Sequence, residues 1–472
     1  MTDLADLTAA ELLDGYASGQ FTPVEATEAS LKRIEERDAE LNAFVLVDRE
    51  AALASAEESA ARWKNGETLG PGDGVPTSIK DIFGTKGWPT LRGTTLIDES
   101  GPWEWDAPCV ARLRETGAVF LGKTATPEFA WKGTTDCLRS GATSNPWNPQ
   151  VHAGGSSGGS ASAVGAGMGP WSVGTDGGGS VRIPAAFTGT VAIKPTYGLV
   201  PMYPASPYGT LAHAGPMTRS VTDTALLLDV ISGFDARDWS ALPTPTWSFA
   251  EGIDDGIEGL RIAYSPNLGY VENDPEVERL VGQAVAELEK AGAVVEQVDP
   301  GFSDPVEPFH VLWFTGAAKV LEAYGPDALG EIDPGLRQGI ETYQDASALD
   351  YLSAMQVRMD MGVLMGAFHE TYDLLVTPTM PITAFDCTRQ APEGWAPNGE
   401  PAELWTSWTP YTYPFNMTQQ PAASVPCGVA ADGLPVGLQI VGARNQDRLV
   451  LRAARAFEKV TQERFIRPVA SG

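Results

Sequence analysis

The chain has 472 residues, and its 32 Lys+Arg against 61 Asp+Glu give a formal net charge of −29. Such an excess repels phosphate backbones and anionic lipid, which argues against nucleic-acid and membrane-surface partners. A hydrophobic content of 43% supports a sizeable core and excludes global disorder.

The first sixty residues read as helices. Thr8-x-x-Glu11 and Thr22-x-x-Glu25 are capping-box patterns, the second with Pro23 at the first helical position. Apolar residues over 23–38 recur at helical spacing. From about residue 75 short apolar runs alternate with helical stretches. Gly74–Lys80 predicts a strand that ends in a lysine, 108–116 a helix, and Ala118–Leu121 a buried strand. Further strands are expected at 190–194, 260–264, 293–297, 373–377 and 434–441, with helices at 222–232, 274–291 and 445–460. The alternation predicts an α/β fold around one large sheet. Stretches near 242–256 and 387–403 read as long surface loops. The segment 132–215 is rich in Gly, Ser and Thr, but apolar pieces and the single charges Asp176 and Arg182 argue against a flexible linker.

No apolar run approaches the ~18 residues of a membrane helix, and Met1–Asp6 lacks the basic and apolar regions of a signal peptide. Cys109, Cys137, Cys387 and Cys427 are scattered, and the four histidines show no zinc-ligand spacing. Neither disulfides nor a metal are expected, and the cytoplasm is the expected compartment.

Two motif matches invite other readings. Gly117–Thr124 fits the phosphate-loop pattern G-x-x-x-x-G-K-[ST], the basis for a distant alternative as a nucleotide-binding protein. That loop must lie between a strand and a following helix, whereas here a helical stretch precedes Gly117 and the x positions are strand-like. Gly154-Gly155-Ser156-Ser157-Gly158 contains G-x-S-x-G, a nucleophile elbow. The elbow needs a strand directly before it, yet Asn145–Pro149 is turn chemistry, and His310 and His369 lack a suitable context.

Gly174–Pro184 carries a different signal. Three glycines before Ser180 leave successive backbone N–H groups unshielded, and such groups can converge on a developing oxyanion. Standing alone, this reads rather as a glycine-rich turn between buried elements. A serine nucleophile needs a base, and a lysine serves when burial lowers its pKa. Lys80 is the only cation in its apolar run.

Together these blocks resemble the amidase signature family. The resemblance rests on Gly154–Ser160, Gly174–Asp176, Gly178–Pro184 and Lys194–Gly198, with Gly74–Asp81 and Asn145–Pro149 upstream. It implies one α/β domain over 1–472, with a mixed central sheet covered by helices on both faces, a helical segment at 1–65 and a signature core at about 70–235. It also implies hydrolysis of a carboxamide-type C–N bond without a cofactor. Ser180 would be the acylated nucleophile, Ser156 the bridging serine on a cis peptide bond, and Lys80 the base. The amides of Gly177, Gly178, Gly179 and Ser180 would form the oxyanion hole, supported by Ser157, Asp176 and Arg182. Two departures stand out: Gly177, where many members carry a larger residue, should loosen the loop, and Trp131 is expected at the pocket wall. The expected substrate is a small amide or carbamate, uncharged and partly aromatic, with room left for a homodimer. The alternative within the family is the catalytic subunit of a glutamine amidotransferase.

Overall fold

A computed structural model describes residues 3–395 and 404–461. Its strands are β1 (Phe44–Val47), β2 (Pro76–Lys80), β3 (Val119–Thr124), β4 (Asp136–Cys137), β5 (Gly141–Ala142), β6 (Trp171–Asp176), β7 (Val191–Lys194), β8 (His213–Thr218), β9 (Arg261–Tyr264), β10 (Val294–Gln297), β11 (Leu374–Pro378), β12 (Ala422–Val429) and β13 (Pro435–Gly442). Eleven of them form one sheet in the order β1-β3-β2-β6-β8-β7-β12-β13-β11-β9-β10, while β4 and β5 pair separately. The sheet is mixed: β2 runs parallel to both β3 and β6, β9 runs parallel to β10 and β11, and the other neighbours are antiparallel.

Both faces of the sheet are buried except along its edge strands β1 and β10. Leu374 and Val376 enter one hydrophobic cluster, while Leu375 between them enters another, as the two-residue period of a strand requires. Helices Val221–Ile231, Pro275–Lys290 and Asp447–Thr461 supply the first cluster, and helices Val306–Leu321 and Pro334–Tyr343 the second.

Both capping boxes form: Thr8 and Glu11 cap helix Ala9–Ser18, and Thr22 and Glu25 cap Pro23–Leu41. The second helix outruns its expected end at 38 and stops at Asn42, which takes a left-handed φ of 51°. The phosphate-loop match proves to be a strand. Val119–Thr124 is buried throughout as β3, and Lys123 pairs with Asp81 at 3.3 Å and donates to the Phe83 carbonyl and the Thr90 hydroxyl. A six-residue strand with an occupied lysine has no loop to wrap a phosphate.

Four sheet strands lie where the pattern predicts none. β6 and β8 are buried at every position but contain Gly, Pro, Ser, Thr and His, so no apolar run marks them. β1 is an edge strand set between two helices, in a stretch that reads as helical throughout, and β12 is interrupted by a register shift between Pro426 and Gly428. The stretch 242–256 is loop, as expected, while 396–403 of the other expected loop lies outside the described residues.

Candidate active site

Neighbouring β2 and β6 are parallel, with Ile79 beside Val173, so their C-terminal ends share one edge of the sheet. Lys80 closes β2, and Thr175 and Asp176 close β6. The segment Gly154–Ser157 passes over this edge before helix Gly158–Gly165, and its Gly155–Ser156 peptide bond is cis. A Cβ on Gly155 would lie 2.3 Å from the Thr134 carbonyl oxygen, so only glycine fits there. Lys80 is 0% exposed, and its Nζ reaches the hydroxyls of Ser156 at 2.7 Å, Ser157 at 2.9 Å and Thr175 at 2.8 Å. Ser157 in turn donates to the Thr175 carbonyl at 3.1 Å. Thr175 escapes the sequence reading because a threonine inside a Gly-Thr-Asp block carries no distinctive signal.

Three hydroxyls and no carboxylate surround the amine. Burial therefore takes the Lys80 ammonium well below the ordinary lysine range, against the opposing attraction of Asp176. Asp176 itself is committed elsewhere: Arg182 grips its carboxylate at 2.9 and 3.0 Å, and Asn416 donates to it at 2.8 Å. Burial alone would raise the Asp176 carboxyl, but Arg182 holds it below the usual carboxylate range. The remaining Arg182 donors reach the Thr412 carbonyl, Gln439 and Asn416, so both buried charges are satisfied.

The glycine loop hangs from this pair. Gly179 donates its N–H to Asp176 at 2.8 Å, which removes that amide from the expected oxyanion hole; the amides of Gly177, Gly178 and Ser180 remain. Gly179 also takes a φ of 129° with Thr412 against it, a conformation that favours glycine. At Gly177 the Trp313 ring lies 2.7 Å from where a Cβ would stand, so the tryptophan fills the space of a larger residue there. The Ser180 carbonyl accepts from Ser157 N–H at 3.1 Å, while the Ser180 side chain makes no hydrogen bond among the described residues. The link from Ser156 to Ser180 is thus open in this structure.

Ser156, Thr175, Gly177 and Ser180 line a cavity of about 120 Å³. Its walls are apolar and aromatic, including Phe83, Phe129, Met202, Tyr208 and Trp313. Trp131 is not among them: it stands behind the wall, where its carbonyl accepts from Trp313 Nε1 at 3.1 Å. The pocket tryptophan comes instead from helix Val306–Leu321, in a region without a clear sequence pattern. No histidine lines the cavity. His310 bonds Thr406 and Tyr343, and His369 meets Gln420 and the Tyr372 carbonyl. With no strand directly before Ser156 either, the elbow reading falls. Among the described residues there is no His/Cys/Asp/Glu cluster suited to a metal and no helix able to cross a membrane.

Known proteins share this arrangement of chain. An acylamidase of Rhodococcus erythropolis is 38% identical over 457 residues, covering 96% of this chain and 95% of that one. A glutamyl-tRNA(Gln) amidotransferase subunit of Geobacter sp. (strain M21) is 34% identical over 98% of both chains. The crystal structure of a bacterial aryl acylamidase, an amidase signature enzyme, superposes with a TM-score of 0.91 at 32% identity over 99% of both chains. The sequence matches the Amidase family over residues 25–451. With the signature blocks folded around one buried lysine, the chain belongs to the amidase signature family of hydrolases that act on C–N bonds.

Proposed function

We propose that the protein hydrolyses small amides or carbamates with an apolar acyl or aryl body, through an acyl-enzyme on Ser180. The observation that carries this reading is Lys80, buried among three hydroxyls and no carboxylate. A neutral amine there acts as a base. Lys80 takes the Ser156 proton as Ser156 takes the Ser180 proton, and Ser180 Oγ attacks the carbonyl carbon. The oxyanion forms against the free amides of Gly177, Gly178 and Ser180. The relay then returns a proton to the departing nitrogen as the C–N bond breaks. Water, deprotonated along the same path, cleaves the ester and regenerates Ser180. Ser157 and Thr175 hold the amine in line, and Asp176 with Arg182 holds the glycine loop. No cofactor enters any step.

The amidotransferase-subunit reading is disfavoured by the cavity walls. Free glutamine brings an α-ammonium, and no carboxylate lines the cavity among the described residues; a buried ammonium without an anion is costly. A cytoplasmic setting without nucleic-acid or membrane partners accords with four free thiols and a net charge of −29. The decisive experiment is covalent labelling with a sulfonyl fluoride, followed by peptide mass spectrometry. The adduct is expected on Ser180; an adduct on Ser156 would overturn the assignment.

A further inference from the structure

The cavity carries two polar groups that this reaction does not use. Arg92 lines it, and among the described residues its guanidinium has neither a carboxylate nor a hydrogen-bond partner. Its backbone is held on both sides: the N–H donates to the Asp81 carbonyl at 3.1 Å, and the carbonyl accepts from Phe129 N–H at 2.8 Å. Tyr208 also lines the cavity, and its hydroxyl is buried with no partner. Stacking on Trp313, with ring centroids 4.1 Å apart, fixes the Tyr208 ring. The nearby carboxylates are engaged elsewhere. Asp81 pairs with Lys123 at 3.3 Å, and Glu128 accepts from Asp333 N–H at 2.5 Å. Neither lines the cavity.

A buried donor without a partner is rare in folded proteins and calls for an explanation. The Tyr208 hydroxyl is such a donor, and half-buried Arg92 brings an unpaired guanidinium to the same apolar chamber. Resting on the amidase reading above, we propose that Arg92 and Tyr208 form an acceptor-binding subsite, and that the preferred substrate is an amide whose apolar body ends in a carboxylate. A guanidinium keeps its charge at every working pH and presents a planar fork that matches a carboxylate. The apolar walls bury the body of the substrate, while the two donors offset the desolvation of its anionic end.

The test compares two matched pairs of substrates. N-acetyl-4-aminobenzoate against N-acetyl-4-toluidine places the carboxylate on the leaving amine. The monoanilide of glutaric acid against hexanoic anilide places it on the acyl group. In the native enzyme kcat/KM should favour the carboxylate by about tenfold in one pair, chiefly through KM, as a charge-assisted hydrogen bond supplies. Arg92→Met should bring that ratio to one or below, and Tyr208→Phe should reduce it severalfold, each variant being checked for folding by thermal unfolding. Calorimetric binding of the same four compounds to Ser180→Ala reads the preference without turnover, so failure of the subsite and failure of the amidase reading are told apart. A native ratio at or below one in both pairs, or a preference that survives in Arg92→Met, would overturn the subsite.

Discussion

Trp313 occupies the space that a side chain at Gly177 would fill, its ring 2.7 Å from the position of a Cβ. The missing side chain and the tryptophan are two halves of one wall. The ring that closes over the glycine loop also stacks on Tyr208 and Phe309, with centroids 4.1 and 5.3 Å away. The loop is therefore covered, and an aromatic surface stands beside Ser180.

Gly177→Ala should push this ring aside and lower kcat/KM for an acyl anilide by about tenfold, a scale at which small displacements near a reacting centre are felt. Trp313→Ala removes the obstacle, so the double variant should lose less than the sum of the two single losses. Steady-state kinetics on the four proteins decides it. Strictly additive losses would mean that the ring and the loop do not share their space functionally.

Under the proposed mechanism Lys80 sets the pH dependence. Burial lowers its pKa, so the amine is neutral above the lowered value and takes up a proton below it. Activity should therefore fall as pH drops through that value. Thr175→Val removes one of three hydroxyls that accept from the ammonium, which favours the neutral form and should move the acid limb to lower pH. Lys80→Ala should cost several orders of magnitude in acylation rate, and Lys80→Arg should not restore it, because a guanidinium does not give up its proton. Full pre-steady-state acylation by the arginine variant would exclude a proton-accepting lysine.

Ser180→Ala should abolish turnover yet leave the cavity and the oxyanion donors in place, so a substrate-like anilide should still bind. Ser156→Ala should keep binding and lose acylation as well, because the bridge between Lys80 and Ser180 is gone. In a burst experiment with a chromogenic anilide neither variant should release amine at the native amplitude. A burst of released amine in Ser180→Ala at the native amplitude would show that the acyl group goes elsewhere.

Much of this site is legible in the sequence, and the limits have physical causes. Ser180 behind its glycines and Lys80 in its apolar run stand out by residue type, while Ser156, Ser157, Asp176 and Arg182 are singled out by the resemblance of their compact blocks to the family. Thr175 and the strand it ends are hidden, because β6 is buried by neighbours rather than by an apolar run of its own. Trp313, Tyr208 and Arg92 reach the cavity from three separate segments, and no local pattern joins them. Trp131 misleads for the same reason: it is near the wall in sequence and buried, but it does not line the cavity, its ring packs against Phe314 and its carbonyl serves Trp313. Gly179 shows a further limit, since only the fold reveals that its amide is taken by Asp176.

The Asp176–Arg182 pair should be the most sensitive point of the catalytic edge in stability as well as activity. Both side chains are 0% exposed, and each is fully hydrogen-bonded. Arg182→Ala leaves a buried carboxylate without its cation, while Asp176→Asn leaves a buried guanidinium without its anion. Breaking a buried pair from one side costs about 3–5 kcal/mol, so either variant should shift the urea midpoint strongly downward. The pH dependence has a definite sign. The folded Asp176 carboxyl titrates below its ordinary value of 3.8, so its contribution is complete above that value and is lost as pH falls through the lowered one. The native protein should therefore lose stability towards strongly acidic pH more steeply than Asp176→Asn, which has no such carboxylate to protonate. Urea unfolding at neutral and acidic pH measures both slopes. Equal slopes, or an Arg182→Ala midpoint unchanged from the native one, would mean that the pair does not hold the loop in place.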